Sequence, residues 1–290
     1  MQMTDNRSIF VISDLHMGDG GVRDNFPVNN RERELDSFLD YVAGQQAELI
    51  VLGDLFEFWQ MNLSKIVMTR MPLLDRLAAM NATYVLGNHD ADLDGFIGTD
   101  FLSHPLFQRM SEPFQREIGG RQFKFMHGHE VDAGNKDDWP EKGRVFCILA
   151  GLFEDKNNSP VFPNGDFVED DLERIGEGLL GPWAAIASRV GRFLHLGGLG
   201  VGGDKLTPAQ NRDRARQLLN AYRQGKESGG YDVLIAGHTH QPGRIGNWYF
   251  NSGTWARKTN SFVEIAPTGY TAVLDWIDGR PVPNNTILQL

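Results

Sequence analysis

The chain has 290 residues, of which 41% are hydrophobic and 10% aromatic, and its formal net charge is −10. This length and hydrophobic content are ample for a packed core, so a globally disordered chain is excluded. The acidic balance argues against non-specific nucleic-acid binding, which depends on clustered positive charge, and we expect no nucleic-acid partner.

The cysteine content and the N-terminus bear on the compartment. The single cysteine, Cys147, excludes an intramolecular disulfide, as is typical of a reducing environment. It lies in an apolar run, and we interpret it as a small buried hydrophobic residue rather than a nucleophile. Residues 1–7 lack a signal-peptide core, and no run of about 18 apolar residues occurs. We therefore expect a cytoplasmic protein.

The first predicted elements alternate between strands and helices. The run Ile9–Ile12 predicts a buried strand, and residues 31–43 follow with helical spacing. A second strand is predicted at Leu49–Leu52, a long helix up to about Met80, and a third strand at Thr83–Leu86. This alternation implies right-handed crossovers and a largely parallel sheet. Ligands of such sheets bind at the carboxyl ends of the strands.

Later apolar runs predict further strands. Residues 123–126 and 232–236 are short, continuous and apolar, as buried strands are. Runs at 247–251, 261–266 and 270–276 resemble a strand meander, from which we predict a second sheet. The expected fold is an α/β sandwich of two sheets flanked by helices.

The segment 138–205 differs from the rest of the chain. It contains loop signals, a helical stretch from about Pro182 with one apolar face, and a glycine-rich connector at 197–203. We interpret it as a helical cap inserted into a single domain of residues 1–290. An amphipathic helix packed on its own domain is the alternative for the apolar face.

Five short clusters of polar residues follow the predicted strands. They are Asp14-Leu15-His16, Gly53-Asp54, Gly87-Asn88-His89-Asp90, His127-Gly128-His129 and Gly237-His238-Thr239-His240. Two cations about 3.5–4 Å apart can neutralise phosphate oxygens, activate water and align it for attack. Such a pair needs carboxylate oxygens, imidazole nitrogens and a bridging group. The candidate ligands are Asp14, His16, Asp54, Asn88, His127, His238 and His240.

Each of these residues also has a structural interpretation when it is taken alone. An aspartate after a strand is often a helix N-cap or a turn residue, and Asn88 suits an Asx turn. A single buried histidine often makes only a core hydrogen bond. The joint pattern favours a metal site, and we expect His104 and His195, which lie outside it, to be non-catalytic.

The ordered clusters resemble those of the calcineurin-like metallophosphoesterases, and the resemblance spans residue 8 to about 256. It implies a four-layer α-β-β-α sandwich of two mixed sheets with an inserted helical cap. It also implies two divalent metal ions, with manganese expected first and iron or zinc as alternatives. The implied ligands are Asp14, His16 and His240 for the first ion, Asp54 for both, and Asn88, His127 and His238 for the second.

The resemblance assigns roles to neighbouring residues as well. His89 matches a histidine that steadies the phosphoryl oxygens or protonates the leaving group, and Asp90 is expected to orient it by a hydrogen bond. His129 is either a partner of a metal ligand or a ligand in place of His127.

The segment Gly53-Asp54-Leu55-Phe56-Glu57-Phe58-Trp59 is similar to one in the UDP-2,3-diacylglucosamine diphosphatases of lipid A synthesis. Those enzymes carry a hydrophobic lid between the fourth and fifth clusters, which implies a lipid substrate and peripheral inner-membrane contact through the cap. They have Gly-Asn-Arg-Asp and His-Gly-Asp, however, where this chain has His89 and His129. Arginine and histidine are not interchangeable at a phosphoryl group, so the departures favour general phosphatases and phosphodiesterases.

The sequence therefore predicts a dinuclear metal-dependent hydrolase of phosphoester or diphosphate bonds, acting by a metal-bound hydroxide on a small-molecule or lipid substrate. One alternative is a general phosphomonoesterase or phosphodiesterase on soluble phosphates. Another is a non-catalytic metal-binding scaffold of the same fold, which the intact set of histidines disfavours. The His-x-His-x-Asp-His run of metallo-β-lactamases does not occur. The oligomeric state stays open.

Overall fold

The computed structural model describes residues 7–21, 24, 26, 31–59, 61–100, 102–131, 208–256 and 260–288, with side chains between 208 and 256 described from Leu219 onward. The predicted cap at 138–205, with Cys147 and His195, lies outside these residues. Among the helices in the described part of the chain, none combines the length and apolar character needed to span a bilayer.

The described elements alternate between strands and helices as predicted over the first 85 residues. In chain order they are β1 (Ile9–Ile12), α1 (Arg31–Gly44), β2 (Glu48–Leu52), α2 (Leu63–Ala79), β3 (Thr83–Val85), β4 (Met110–Ser111), β5 (Phe114–Ile118), β6 (Arg121–Phe125), α3 (Pro208–Gly229), β7 (Val233–Ala236), β8 (Gly243–Ile245), β9 (Tyr249–Asn251), β10 (Asn260–Ile265), β11 (Thr271–Ile277) and β12 (Arg280–Pro283). Short 3-10 helices lie at Ala91–Phe96, Phe107–Arg109 and His129–Val131.

The larger sheet has seven strands in the order β12-β11-β10-β1-β2-β3-β4. The four strands from β1 to β4 are parallel, which confirms the predicted parallel start. On the other side of β1, the strands β10, β11 and β12 are added in antiparallel register. The sheet is therefore mixed.

The smaller sheet has five strands in the order β5-β6-β7-β9-β8, with a parallel centre and antiparallel edges. Of the three late runs that we assigned to a second sheet, only β9 lies in it. The other two form β10 and β11 in the larger sheet, so this part of the prediction is wrong. The physical reason is that β10 is buried on both faces and pairs with β1, where a central strand is needed.

Alternate side chains of the strands build separate layers of core. In β1, Phe10 packs with Phe38 of α1, whereas Val11 packs with Phe125 and Ile235 of the smaller sheet. Tyr222 of α3 belongs to a third cluster, on the outer face of that sheet. Helices, sheet, sheet and helix follow one another, which confirms the predicted four-layer α-β-β-α architecture.

Local sequence explains the two helices that connect the first three strands. Helix α1 buries Leu35, Phe38 and Val42, which recur at helical spacing. Helix α2 begins after Asn62, whose Oδ1 accepts a hydrogen bond from Ser64 N at 3.0 Å and so caps the first turn. Both helices pack on one face of the larger sheet and return the chain to the same edge. The clusters after β1, β2 and β3 therefore meet at that edge.

Candidate metal centre

The backbone turns abruptly at five of the predicted ligands. The residues with positive φ include Asp14, His16, Asp54, His238 and His240, with values between 47° and 67°. A non-glycine residue in this region costs on the order of 1–3 kcal/mol and persists only where its surroundings fix it. The cost recurs at the carboxyl ends of β1, β2 and β7, which is typical of a functional site.

Two glycines of the clusters let these turns approach one another. A Cβ on Gly87 would lie 2.1 Å from Asp54 Oδ1, and one on Gly53 would lie 2.3 Å from His127 Nδ1. Gly53 also has a φ of 88°, which favours glycine. The glycines beside Asp54 and Asn88 are therefore required by close packing around the carboxylate and the imidazole.

The first predicted ligand group is assembled in the structure. Asp14, His16 and His240 each offer a donor atom within 4.8 Å of the others. His240 Nε2 lies 3.1 Å from Asp14 Oδ1 and 3.2 Å from His16 Nε2. Two imidazole nitrogens and a carboxylate oxygen thus converge on one point.

Asp14 presents only one of its carboxylate oxygens to this group. Its Oδ2 accepts hydrogen bonds from Ser13 Oγ and, at 3.1 Å, from His238 N. The buried Oδ1 faces His240 and accepts no bond of regular hydrogen-bond geometry within the described residues. The protein therefore fixes one oxygen and leaves the other to coordinate.

The second ligand group contains Asp54, His127 and His238, again within 4.8 Å of one another. His127 Nε2 lies 3.0 Å from Asp54 Oδ2, while its Nδ1 lies 2.8 Å from Leu52 O. A backbone carbonyl at Nδ1 selects the tautomer that carries hydrogen there, which turns Nε2 toward Asp54 as a ligand atom. Asn88 Oδ1 is buried without a hydrogen-bond partner among the described residues.

Asp54 occupies the position expected of a shared ligand. Its Oδ2 lies 3.0 Å from His127 Nε2 and 3.8 Å from His16 Nε2, which belong to different groups. Its Oδ1 accepts a hydrogen bond from His89 N at 2.9 Å, and this bond holds the carboxylate in place.

The electrostatics of the buried site favour cations. Burial raises the pKa of Asp54, but the charges of His127 and His89 outweigh it and hold the pKa well below its ordinary value. The same balance of burial against His127 and His240 lowers the pKa of Asp14. Burial lowers the pKa of His127, yet Asp54 and Asp14 raise it to about 10. The two aspartates are therefore ionised and make the potential at His127 negative. Carboxylate, imidazole and amide donors in such surroundings fit two divalent cations.

His129 lies beside the second group but does not belong to it. Its ring centre is 5.5 Å from that of His127 and 6.4 Å from that of His238, and its Nδ1 is 3.7 Å from Glu130 Oε2. Burial lowers the pKa of His129 more than Glu130 raises it. Of the two histidines in the fourth cluster, His127 has the geometry of the ligand.

His89 is held by residues that the sequence motifs did not single out. Its Nδ1 lies 2.8 Å from Glu57 Oε2, and the ring of Trp59 stacks on its imidazole with centroids 3.6 Å apart. The His89 ring centre lies 4.7 Å from that of His16, beside the first ligand group. His89 thus borders the metal centre. Glu57 follows β2 by five residues, inside the segment that resembles the diphosphatases, but the only sequence signal for it was that resemblance.

Asp90, which we expected to bond His89, has other hydrogen-bond partners. Its carboxylate accepts hydrogen bonds from Leu55 N at 2.7 Å, Tyr84 OH at 2.6 Å and Gly87 N at 2.5 Å. Burial and the charge of Asp54 raise its pKa to about 6. The carboxylate beside His89 Nδ1 is that of Glu57, and Asp90 instead ties the loop after β2 to the loop after β3.

We expect Asp90→Asn to lower the free energy of unfolding of the metal-free protein by about 1–3 kcal/mol, because an amide of equal size leaves a buried donor unsatisfied. Chemical denaturation in the presence of a chelator measures the change. Asp94→Asn, at an exposed position of the next 3-10 helix, is the matched control. Equal unfolding midpoints for the two variants would contradict this role of Asp90.

Comparisons with known proteins bear on the whole site. The sequence profile of the family described as calcineurin-like phosphoesterase matches residues 7–242, a range that includes all five clusters. Curated proteins give no match to the chain. Among solved structures, it is similar to vacuolar protein sorting 29 from Cryptosporidium parvum, at 15% identity over 95% of this chain and 94% of that one, with a TM-score of 0.44.

Proposed function

Because the chain belongs to the calcineurin-like phosphoesterase family, we propose that it is a metal-dependent hydrolase of phosphoester or diphosphate bonds. The observation that carries the proposal is the convergence of two groups of buried or partly buried ligand atoms, each within 4.8 Å, on the carboxyl ends of the strands. A scaffold that binds no metal does not need this arrangement or the strained backbone that supports it. A metal-binding scaffold would not need His89, which borders the first group without being a proposed ligand.

The proposed ligands follow the geometry of the two groups. Two divalent ions supply neutralisation of phosphate charge and activation of water when they are bound. Mixed oxygen and nitrogen ligands suit Mn²⁺, Fe²⁺ or Zn²⁺, and Mn²⁺ is our first choice for experiments. The first ion is assigned to Asp14, His16 and His240, the second to Asn88, His127 and His238, and both to Asp54.

The residues around the proposed ions have separate tasks. Asp54 holds the two groups together through one carboxylate. His89 borders the first group and supplies an imidazole to hold or donate a proton at the leaving oxygen, or to steady the phosphoryl oxygens. Every proposed ligand and His89 is buried, apart from His238, which is partly buried. The effective dielectric constant is lower in buried surroundings than in water, so these side chains interact more strongly with phosphate charge.

The substrate class has two candidates, each with its own support. The segment 53–59 is similar to that of the UDP-2,3-diacylglucosamine diphosphatases and supports a lipid-linked diphosphate. The presence of His89 where those enzymes have arginine supports a soluble phosphomonoester or diester instead. A panel of UDP-diacylglucosamine, an aryl phosphate and a bis-aryl phosphate separates them. The cytoplasmic location and membrane contact through 138–205 stay predictions.

We expect protein stripped with a chelator to be inactive and Mn²⁺ to restore hydrolysis of at least one member of this panel. In oxygen-18 water, the released phosphate should gain one labelled oxygen, because attack occurs at phosphorus. Mass spectrometry of the products measures the label. Activity that survives metal stripping, or label found only in the alcohol, would contradict the proposal.

A further inference from the structure

Glu57 is a buried carboxylate that faces two histidines of the site at once. Its Oε2 lies 3.2 Å from His16 Nδ1 and 2.8 Å from His89 Nδ1. His16 belongs to the first ligand group, whereas His89 is not a proposed ligand. A single oxygen atom therefore links a metal ligand to the histidine assigned to the leaving group.

The position of Glu57 is fixed by its own neighbours. Its backbone N donates to Met17 O at 3.1 Å, which ties the segment after β2 to the loop that carries His16. Its second oxygen, Oε1, accepts a hydrogen bond from Trp59 N at 3.2 Å. The side chain is 7% exposed, so little solvent competes for the carboxylate.

The same short segment holds His89 from a second direction. The Trp59 ring stacks on the His89 ring with an interplanar angle of 29°, and Phe58 N donates to His89 O at 3.3 Å. Residues 57–59 thus contact the ring face, one ring nitrogen and the backbone carbonyl of His89. Such contacts restrict both side-chain torsion angles of His89, χ1 and χ2.

We propose that Glu57 is a positioning residue, which orients His16 for the first metal ion and His89 for the substrate through one carboxylate oxygen. The inference rests on the proposed function. A carboxylate oxygen has two lone pairs and carries negative charge, so Glu57 Oε2 accepts a hydrogen bond from His16 Nδ1 and holds His89 Nδ1 at ion-pair distance. Hydrogen on Nδ1 leaves Nε2 of His16 to coordinate and Nε2 of His89 to act on the substrate. Glu57 thereby couples metal binding to the orientation of the leaving-group histidine.

The metal-binding half of the proposal is tested without a substrate. Equilibrium dialysis of metal-free protein against Mn²⁺ is expected to show two bound ions in the wild type and in Glu57→Gln. One of the two should bind about 10–100-fold more weakly in the variant, as is typical when a carboxylate behind a ligating histidine is lost. Glu48→Gln, which removes a carboxylate bonded to Arg116 at the start of β2, should leave both affinities unchanged.

The second half is tested by a double-mutant cycle in kcat and KM. Glu57→Gln is expected to lower kcat about 10–100-fold at saturating Mn²⁺, with little change in KM, because orientation is lost while binding is kept. In a His89→Ala background, the same substitution should cost much less, since the residue that it orients is gone. A purely structural role of Glu57 predicts equal costs in both backgrounds. Unchanged unfolding midpoints show that Glu57→Gln is folded.

The outcomes separate the two levels of the proposal. If the wild type hydrolyses phosphoesters but Glu57→Gln keeps both Mn²⁺ affinities, or if the cycle is additive, the positioning role is wrong and the function stands. If the wild type binds Mn²⁺ but hydrolyses no member of the panel, the function fails, and weakened binding in Glu57→Gln still supports the His16 contact. Three ions in the wild type and two in Glu57→Gln would overturn the role in favour of a third metal site at His16, Glu57 and His89.

Discussion

Replacing Asp54 with asparagine is expected to lower metal-dependent hydrolysis by about 10³-fold, the scale seen when one preorganised electrostatic group is removed from a site. Asp54 Oδ2 faces histidines of both ligand groups, His16 at 3.8 Å and His127 at 3.0 Å. Asp14 Oδ1 lies closest to His240, at 3.1 Å, and is 3.9 Å from His127. An asparagine has a single neutral oxygen, which cannot serve two cations as a carboxylate does. Both metal sites should therefore weaken together.

The local hydrogen bonds make the asparagine variant worse than a simple loss of charge. Asp54 Oδ1 accepts from His89 N, and its Oδ2 faces His127 Nε2. If the amide oxygen keeps the first bond, the amide nitrogen points its hydrogens at a ligand nitrogen. Asp54 is also the largest of the charges that raise the pKa of His127. Its loss leaves less negative charge beside the ligand nitrogens, and both effects lower the affinity of the site for cations.

Elemental analysis and Mn²⁺ dialysis of Asp54→Asn measure the metal content, and hydrolysis of an aryl phosphate measures the activity. The exposed Asp94→Asn serves again as the control for loss of one negative charge. Two tightly bound ions in Asp54→Asn, with turnover near that of the wild type, would show that Asp54 is not shared. Loss of one ion alone would assign it to a single site.

The parts of the fold that could be predicted are those with local signals. The strands β1, β2 and β3 are continuous apolar runs because both of their faces are covered, and polar clusters at their ends mark the site. In β5, burial alternates between intermediate and exposed, and polar residues occupy its centre, so an edge strand like this gives little sequence signal. The sheet to which β10 belongs depends on its pairing with β1, about 250 residues away, and no local pattern encodes it.

The same contrast applies within the site. Histidine and aspartate at strand ends could be singled out because the residue types and their order carry the chemistry. Glu57 contacts His16 and His89 from 41 and 32 positions away in the chain, so its role depends on how three loops meet. The family resemblance implies that Asp90 orients the adjacent His89. In the structure its carboxylate points to Tyr84 and to the loop backbones instead.

His89→Ala is expected to lower kcat by about 10²–10⁴-fold while both metal ions stay bound, because His89 borders the ligand groups without belonging to them. Aryl phosphate kinetics measure the turnover, and Mn²⁺ dialysis measures the ions. His104→Ala is the control, since His104 contacts Asp75 rather than any cluster. Loss of a metal ion from His89→Ala would instead make His89 a ligand.

A second substitution at the same position separates the two chemical roles of His89. Arginine keeps a positive charge beside Glu57 but does not give up a proton at neutral pH. If His89 donates a proton, His89→Arg should stay slow on alkyl phosphates, which have basic leaving groups, and recover on nitrophenyl phosphate, whose leaving group needs no proton. If His89 only steadies phosphoryl charge, His89→Arg should recover equally on both. We expect the first pattern, because Glu57 at Nδ1 leaves Nε2 of the imidazole to exchange a proton.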